Sequence, residues 1–449
     1  MDSSLQQKSH KGYLRFLKSL PFARYTDVIS WLVIANTCIS INQWSHVPLG
    51  NQWTDWLIDF SLLSMLVWYI FRNRTLLFSR EYILCTLYLM WACLGVFRGC
   101  MKASNYWEYK QLFSGILMTS LPCFAYLFRE PRINYLVLKR WNYVMPILFI
   151  VFFIWVCSPG CYFYLLPFIL LYGCFFAKLP GKWKLIVGIM LMAFCLDITA
   201  RSNLIKVAIT VATAVAFYLR RFIPNIVYKI VHWFLYLSIP VLLGLAATGR
   251  FNILEDMSSS NEGKHVTVVG DEEQDLSDDT RTFIYIEVIQ SAIDNNYILF
   301  GNTPARGNYS ESFVAGEYAM NEDLTGKGER HANELVHLNI FTWLGLVGLI
   351  LYSIIYLQSS YYAVFRSNSV FLKLIGCTIA FHWVYGWIED YNSFTVQNIW
   401  LWMMIGMGLS KKFRNMDDKK FSRWFIMLFK KCSPPQKRPL RCHNSSCQK

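Results

Sequence analysis

The feature that most constrains this sequence is a series of apolar blocks, each roughly 17 to 25 residues long, separated by clusters of charge. Blocks of that length can cross a hydrocarbon core about 30 Å thick as helices. Helices satisfy their own backbone hydrogen bonds, which lipid cannot do. Hydrophobic residues make up 55% of the chain and charged residues only 16%, more apolar surface than a soluble core of this size needs. We therefore predict an all-α, polytopic transmembrane bundle.

The apolar blocks between charge clusters predict about 12 spans. The spans up to residue 248 precede a long polar connection, and the remaining ones occupy residues 337–410. In order, the predicted spans lie near Asp27–Ser45, Trp53–Phe71, Glu81–Phe97, Leu112–Leu127, Trp141–Cys157, Cys161–Phe176, Lys184–Ala200, Leu204–Leu219, Ile226–Thr248, Leu338–Gln358, Leu372–Ile388 and Phe394–Ser410.

Lysine and arginine residues fall mainly in alternate connections, as the positive-inside rule requires of cytoplasmic loops. The tails at residues 1–26 and 411–449 are both basic, so both termini are predicted to be cytoplasmic and the number of spans even. One connection assigned to the non-cytoplasmic side is an exception to this rule, because it carries Arg98, Lys102 and Lys110. The net charge of +14 is therefore largely a topology signal. We predict a bacterial inner-membrane protein that contacts membrane lipids and binds no nucleic acid.

The long polar connection, Gly249–Val336, breaks the pattern of short loops. By span parity it lies on the periplasmic side. Connections of this length are uncommon unless they are functional or disordered. Within it, Thr280–Asn295 carries apolar residues at helical spacing after Asp278 and Asp279, which can cap a helix. We predict a partly helical periplasmic loop that carries the function.

Two arginines are candidate anion-binding residues, since the guanidinium group offers a planar fork of donors that suits phosphate oxygens. Arg201 follows Asp197 at the turn between two predicted spans, and Arg281 opens the predicted loop helix. Each has a plainer alternative. Arg201 could extend toward the membrane surface while paired with Asp197, and Arg281 could be an ordinary surface arginine.

The third candidate site is the segment that enters the tenth predicted span. His331, Glu334 and His337 are three residues apart, so on a helix they would cover one broad face. A histidine near neutral pKa is suited to act as a general base. A purely structural histidine pair is the main alternative. A metal site is another, but the spacing differs from the two-histidine i,i+4 arrangement of zinc helices, and we predict neither metal nor cofactor.

The order of these motifs resembles that of the O-antigen ligase and polymerase superfamily of integral-membrane glycosyltransferases. The resemblance covers roughly Lys184 to the last span, while the first half matches only in hydropathy. The matching motifs are Thr199-Ala-Arg201-Ser202, Arg281, Ile298-Leu-Phe-Gly301 with Gly307, His331-Ala-Asn333 and Gly345-Leu-Val-Gly348.

This resemblance implies a metal-independent, inverting transfer of a glycan from undecaprenyl diphosphate to a hydroxyl of lipid A-core. Arg201 and Arg281 would bind the leaving diphosphate, His331 or His337 would be the base, and Glu334 would orient it. A polymerase of the same superfamily, which adds the glycan to another lipid-linked glycan, is the close alternative. A transporter or flippase of lipid-linked substrates and an envelope scaffold are the alternatives from other classes.

Overall fold

The computed structural model describes residues 20–47, 50–158, 162, 164–196, 201–247, 266–269, 272–275, 282–311, 327–389 and 393–430. Within these ranges the chain is mostly helical. The helices are α1 (Leu20–Ser40), α2 (Gln52–Arg72), α3 (Ile83–Lys102), α4 (Tyr106–Thr119), α5 (Cys123–Leu127), α6 (Pro131–Ile147), α7 (Ile154–Val156), α8 (Leu166–Gly173), α9 (Gly181–Leu196), α10 (Arg201–Tyr218), α11 (Asn225–Ala247), α12 (Thr282–Asp294), α13 (Val336–Phe365), α14 (Val370–Tyr385), α15 (Val396–Leu409), α16 (Lys411–Arg414) and α17 (Asp418–Ile426).

Short helical turns and two small sheets complete the described structure. A π-helical segment, Leu148–Phe153, follows α6. The 3-10 turns are Asn42–Trp44, Arg74–Leu76, Phe176–Lys178 and Met427–Phe429. The strands are β1 (Val266–Val269), β2 (Glu272–Asp275), β3 (Asn308–Tyr309) and β4 (Glu329–Arg330), paired antiparallel as β1–β2 and β3–β4. All four lie in the long connection, where the all-α prediction missed them. The loop helix predicted over Thr280–Asn295 is confirmed as α12.

Three of the described helices, α2, α3 and α13, are long and apolar enough to cross a membrane. A fourth span is added if Tyr106–Leu127 and Pro131–Ile147, which are bent by 114° at their junction, form one broken span. Shorter apolar helices occupy Leu204–Tyr218, Val370–Tyr385 and Val396–Leu409. The chain is therefore a mostly helical protein with membrane-spanning character, and the number of about 12 spans remains a prediction.

Contacts between helix termini define two ends of the bundle. At what we call the loop end, the Arg98 guanidinium of α3 donates to the Phe300 carbonyl at 2.7 Å, and Lys327 pairs with Glu108 in the first turn of α4. The amide of Val336 also bonds the carbonyl of Glu389 there, which joins α13 to the segment after α14. The opposite end, which we call the basic end, contains the ion pairs Arg414–Glu81 and Lys412–Glu130.

Helix α13 is interrupted at Gly345, and a turn of the long connection fills the break. Gly345 has φ 70° and Gly301 of the inserted turn has φ 74°, a region that favours glycine. The amide of Asn302 donates to the Thr342 carbonyl at 2.7 Å, and the Leu346 amide donates to Ile298 at 2.8 Å. Backbone groups released by the break are thus satisfied by the loop. This exchange fixes the loop onto a membrane-spanning helix.

The next residues of the loop dock on a glycine seam between α3 and α4. A Cβ atom on Gly115 would lie 2.4 Å from the Pro304 carbonyl oxygen. Gly95 faces the Pro304 ring, and Gly99 faces Ala305. Because larger side chains would push the turn away, the three glycines allow Pro304 to pack directly against the helices. They determine where the Pro304 carbonyl points.

Candidate functional site

His331 lies in an irregular segment between β4 and α13, held by two hydrogen bonds to well-packed groups. Its Nε2 atom is 2.9 Å from the Pro304 carbonyl oxygen. Its own carbonyl accepts a hydrogen bond from the Trp343 indole at 2.9 Å, and the two rings lie 5.4 Å apart. Because Pro304 is itself docked on the glycine seam, the imidazole is oriented by α3, α4 and α13 together.

These contacts determine the tautomer of His331. A carbonyl only accepts, so Nε2 carries the proton and Nδ1 holds the free lone pair. Nδ1 makes no hydrogen bond within the described part of the chain, and the residue as a whole is partly exposed. Burial lowers the pKa of His331, against a smaller opposing effect of the Pro304 hydrogen bond. The side chain is therefore neutral at pH 7, and its second ring nitrogen can accept a proton.

His337, the competing candidate, is enclosed inside the bundle in the first turn of α13. Its Nε2 donates to the Trp383 carbonyl at 2.8 Å, and the rings of Trp387, Trp383 and Tyr352 surround it at 4.6, 5.7 and 6.2 Å. The side chain is 1% exposed. Its Nδ1 is buried and has no partner among the described residues. This arrangement gives His337 a packing role and no path to a substrate hydroxyl.

Glu334 lies beside these histidines but orients neither of them. Its side chain is 57% exposed and pairs with Arg330 at 3.6 Å. Both histidines use Nε2 to bond backbone carbonyls instead. Helix α13 begins only at Val336, so the broad helical face predicted for the three residues does not form. Backbone carbonyls, which sequence spacing does not reveal, take the orienting role.

The two predicted diphosphate-binding arginines are described only in part or not at all. Arg201 is the first residue of α10, whereas the sequence placed it in the turn before a span that begins near Leu204. Its side chain lies outside the described structure, and so does Arg281, which immediately precedes α12. Their role in binding an anion therefore remains a prediction.

A group of charged side chains near Pro304 was missed by sequence reasoning. Arg306 bonds both carboxylate oxygens of Glu329, which raises the pKa of the guanidinium. Arg306 also lies 3.7 Å from Glu108, which pairs with Lys327. Lys102 is exposed, forms no ion pair within the described residues, and has Arg98 and Arg306 as its main electrostatic neighbours. The connection that departs from the positive-inside rule in sequence therefore also contributes to a cluster of cations in the structure, near Pro304.

A second missed feature is a buried ion pair at the loop end of α10 and α14. Lys206, whose side chain is 1% exposed, contacts Glu389 at 2.9 Å, and its Nζ lies 5.2 Å from the centre of the Tyr385 ring. His382 is also nearby. The sequence signal was a lone lysine inside an apolar block, since an ionisable residue within a span is a functional hypothesis by default.

No group of three or more His, Cys, Asp or Glu side chains able to hold a metal ion occurs within the described ranges. No protein-family model matches the chain, and no similar curated protein or solved structure is found. The case for function therefore rests on the geometry around His331 and on the motif resemblance.

Proposed function

We propose that the protein is an O-antigen ligase-like membrane glycosyltransferase that moves a glycan from undecaprenyl diphosphate to an acceptor hydroxyl, with lipid A-core as the acceptor. The observation that carries this proposal is the state of His331. It is neutral, held by the Pro304 carbonyl and partly exposed at the loop end of the bundle, and its Nδ1 makes no hydrogen bond within the described residues. A fixed neutral imidazole of this kind is suited to deprotonate a hydroxyl.

In the proposed reaction, His331 Nδ1 accepts the proton of the acceptor hydroxyl as the oxygen attacks the anomeric carbon. A new glycosidic C–O bond forms, and the bond from that carbon to the diphosphate oxygen breaks. The diphosphate leaves with the electron pair from the opposite face, so the anomeric configuration inverts. Arg201 and Arg281 bind the leaving group, as the resemblance implies. Lys102 and Arg306 add positive potential beside Pro304.

The same proposal includes the topology. About 12 spans cross the bacterial inner membrane, both termini are cytoplasmic, and the connection Gly249–Val336 is periplasmic. One structural feature of the end opposite the loop supports this topology. The end opposite the loop carries the basic segment from Lys411 to Arg414, whose cations pair with Glu81 and Glu130.

The direct test is transfer by the purified protein, using a radiolabelled undecaprenyl-diphosphate glycan and lipid A-core. Wild type should form the product. His331→Ala and Arg281→Lys should lose it, because alanine removes the base and lysine keeps the charge without the bidentate fork. Arg423→Lys, an exposed change in α17 at the basic end, is the matched control. Normal transfer by His331→Ala and Arg281→Lys would remove this loop from the chemistry.

Two further outcomes separate the alternatives. A deletion strain that makes single repeats instead of long chains, with normal attachment to core, would identify a polymerase, which uses the same chemistry on another acceptor. A transporter is favoured by one observation, the buried Lys206–Glu389 pair. If the wild type shows no transfer in vitro and Lys206→Met abolishes uptake of lipid-linked glycan into proteoliposomes, the transporter replaces the enzyme.

A further inference from the structure

A second site lies at the loop end of the bundle, away from the histidines. A cavity of about 640 Å³ opens between the end of α1, the start of α2 and the segment that leads into α15. Its walls include two carboxylates, an amide and two aromatic rings. These groups belong to Asp55, Asp59, Gln397, Tyr164 and Phe394.

The two carboxylates lie one helical turn apart on α2 and face the cavity without a cation. Asp59 is 8% exposed, and its Oδ1 accepts a hydrogen bond from Asn36 at 2.8 Å. Asn36 also donates to the Phe394 carbonyl at 2.9 Å, which fixes the wall on the α15 side. The Oδ1 atom of Asp55 is sealed and has no partner among the described residues. No lysine, arginine or histidine is among the described residues that line the cavity.

Gln397 provides the independent sign that a ligand belongs here. Its side chain is only 6% exposed, yet it lines the cavity and makes no hydrogen bond within the described structure. Its amide faces the cavity and has no partner among the described residues. Native proteins normally satisfy such groups, so the partner of this amide can be a ligand in the cavity that accepts from the amide nitrogen or donates to the amide oxygen.

The lining specifies the chemistry of that partner. Carboxyl groups offer mainly acceptor oxygens, so the ligand must supply donors, and Gln397 can both donate and accept. The volume lies within the range of about 300 to 1,000 Å³ typical of small-molecule pockets. The other polar groups of the lining are hydroxyls and a second amide, which can hydrogen-bond to the same ligand. A sugar ring meets every requirement, since its hydroxyls donate to carboxylates and its C–H face packs on Tyr164 or Phe394.

We propose that this cavity binds one neutral sugar unit of the acceptor glycan. The assignment to the acceptor rests on the proposed function and on charge. A cavity lined by two carboxyl groups and by no described cation has nothing to neutralise a diphosphate, so the lipid-linked donor head belongs beside the arginines, and the phosphate-free part of the other substrate belongs here. The two sites share the loop end, where residues 386–395 connect α14, next to His337, with α15, which carries Gln397.

The experiment combines direct binding with kinetics on the full-length protein in detergent. Saturation-transfer NMR is recorded with glucose, galactose, mannose and N-acetylglucosamine as probes, for wild type, Asp59→Asn and Gln397→Ala. Asp294→Asn, an exposed carboxylate at the end of α12, is the matched control. Size-exclusion elution confirms that each variant is folded. Asparagine at 59 keeps an acceptor for Asn36, which limits structural damage.

We expect a signal from at least one sugar that is lost in Asp59→Asn and Gln397→Ala and kept in Asp294→Asn. In the transfer assay, the acceptor KM should rise about tenfold with kcat unchanged, the effect of losing ground-state binding. Equal signals in all variants, or an unchanged acceptor KM, would overturn the proposal. Displacement of the sugar by calcium or tetramethylammonium would reassign the cavity to cations. If the wild type transfers no glycan but sugar binding still depends on Asp59 and Gln397, the proposed glycosyltransferase activity is wrong and the proposed sugar-binding site is retained.

Discussion

Two histidines six residues apart lie in opposite environments, although the sequence makes them equivalent. His331 is fixed from outside the bundle by Pro304 and remains partly exposed. His337 is fixed from inside by Trp383 and is enclosed by aromatic rings. Both donate Nε2–H to a backbone carbonyl. The difference lies in what surrounds the second nitrogen, and this difference separates a reactive position from a packing position.

The two histidines also differ in which parts of the chain build their surroundings. The region of His331 is assembled from residues 298–306 pressed against α3, α4 and α13. The described surroundings of His337 come from α13, from α14, which packs against it, and from the turn after α14 that carries Trp387. The first region depends on a loop that interrupts a helix. The second depends mainly on helix–helix packing, so the two should respond differently to mutation.

The largest expected effect is on catalysis by His331→Ala. Removing a general base costs about 10² to 10⁴-fold in rate, so product formation should fall by that factor. The amount of folded protein should stay near normal because His331 is only partly buried. The measurement is the transfer rate per folded molecule from the detergent-purified protein.

His331→Gln provides a stricter version, since the amide can still donate to Pro304 but cannot act as a base. Loss in both variants supports the base role. Recovery of transfer in the glutamine variant would reduce His331 to a structural hydrogen-bond donor and would remove the distinction from His337.

The second expected effect is structural and concerns Gly345→Ala. Alanine would have to adopt φ 70° with its Cβ about 2.3 Å from the Leu299 carbonyl oxygen. Strain of this kind and the required backbone shift together cost roughly 3 kcal/mol. We expect a lower unfolding midpoint and, because Pro304 and His331 follow the inserted turn, reduced transfer per folded molecule.

Gly188→Ala in α9 is the matched control, because a Cβ there meets nothing within 4 Å. If Gly345→Ala unfolds and transfers like Gly188→Ala, the break in α13 does not position the loop. Gly301→Ala then provides a second test from the other side of the same contact.

Features that depend on residues close together in the chain could be predicted from the sequence, whereas features that depend on contacts between distant residues could not. The apolar blocks, the loop helix α12 and the candidacy of His331 follow from local patterns. The choice between His331 and His337 does not, because the carbonyls that orient them belong to Pro304 and Trp383, which lie 27 and 46 residues away.

The contact between the two glycine motifs also depends on residues that are distant in the sequence. Gly301 and Gly345 were each visible as motif residues, but their contact depends on a helix break that hydropathy does not signal. The sequence analysis did not single out Asp55 or Asp59. Asp55 lies in the first turn of α2, where an acidic residue is ordinary because it suits the helix dipole, and Asp59 lies further along the same helix. Only the described packing of α1 and α15 shows that they face a cavity without a cation.

A smaller effect is expected for His337→Ala. The change removes an enclosed ring and leaves the Trp383 carbonyl without its side-chain donor, which together cost about 2 kcal/mol. The unfolding midpoint should fall, while transfer per folded molecule stays within about twofold of wild type, below the loss expected for a base. His337→Phe, which refills the ring volume, should recover part of the stability. A loss of transfer by His337→Phe in folded protein would make His337 the base and reverse the comparison.

The smallest effect is expected in the pH profile. Burial lowers the pKa of His331 below its usual value of 6.5, so the imidazole stays neutral as pH falls through that value. An exposed histidine would be only about a quarter neutral at pH 6, so its rate would fall about fourfold between pH 7.5 and 6, whereas wild-type transfer should fall by less than that. The lowered pKa of His331 also makes the free energy of unfolding depend on pH, in the same direction as the rate. The unfolded chain binds the proton first, so the contribution of neutral His331 is complete above pH 6.5 and is lost as pH falls toward the folded pKa. Initial rates measured across this range test the prediction, with folding monitored at each pH. A half-maximal rate at or above pH 6.5 would mean that the base is an ordinary exposed group and that the Pro304 contact does not hold His331 in its buried, neutral state.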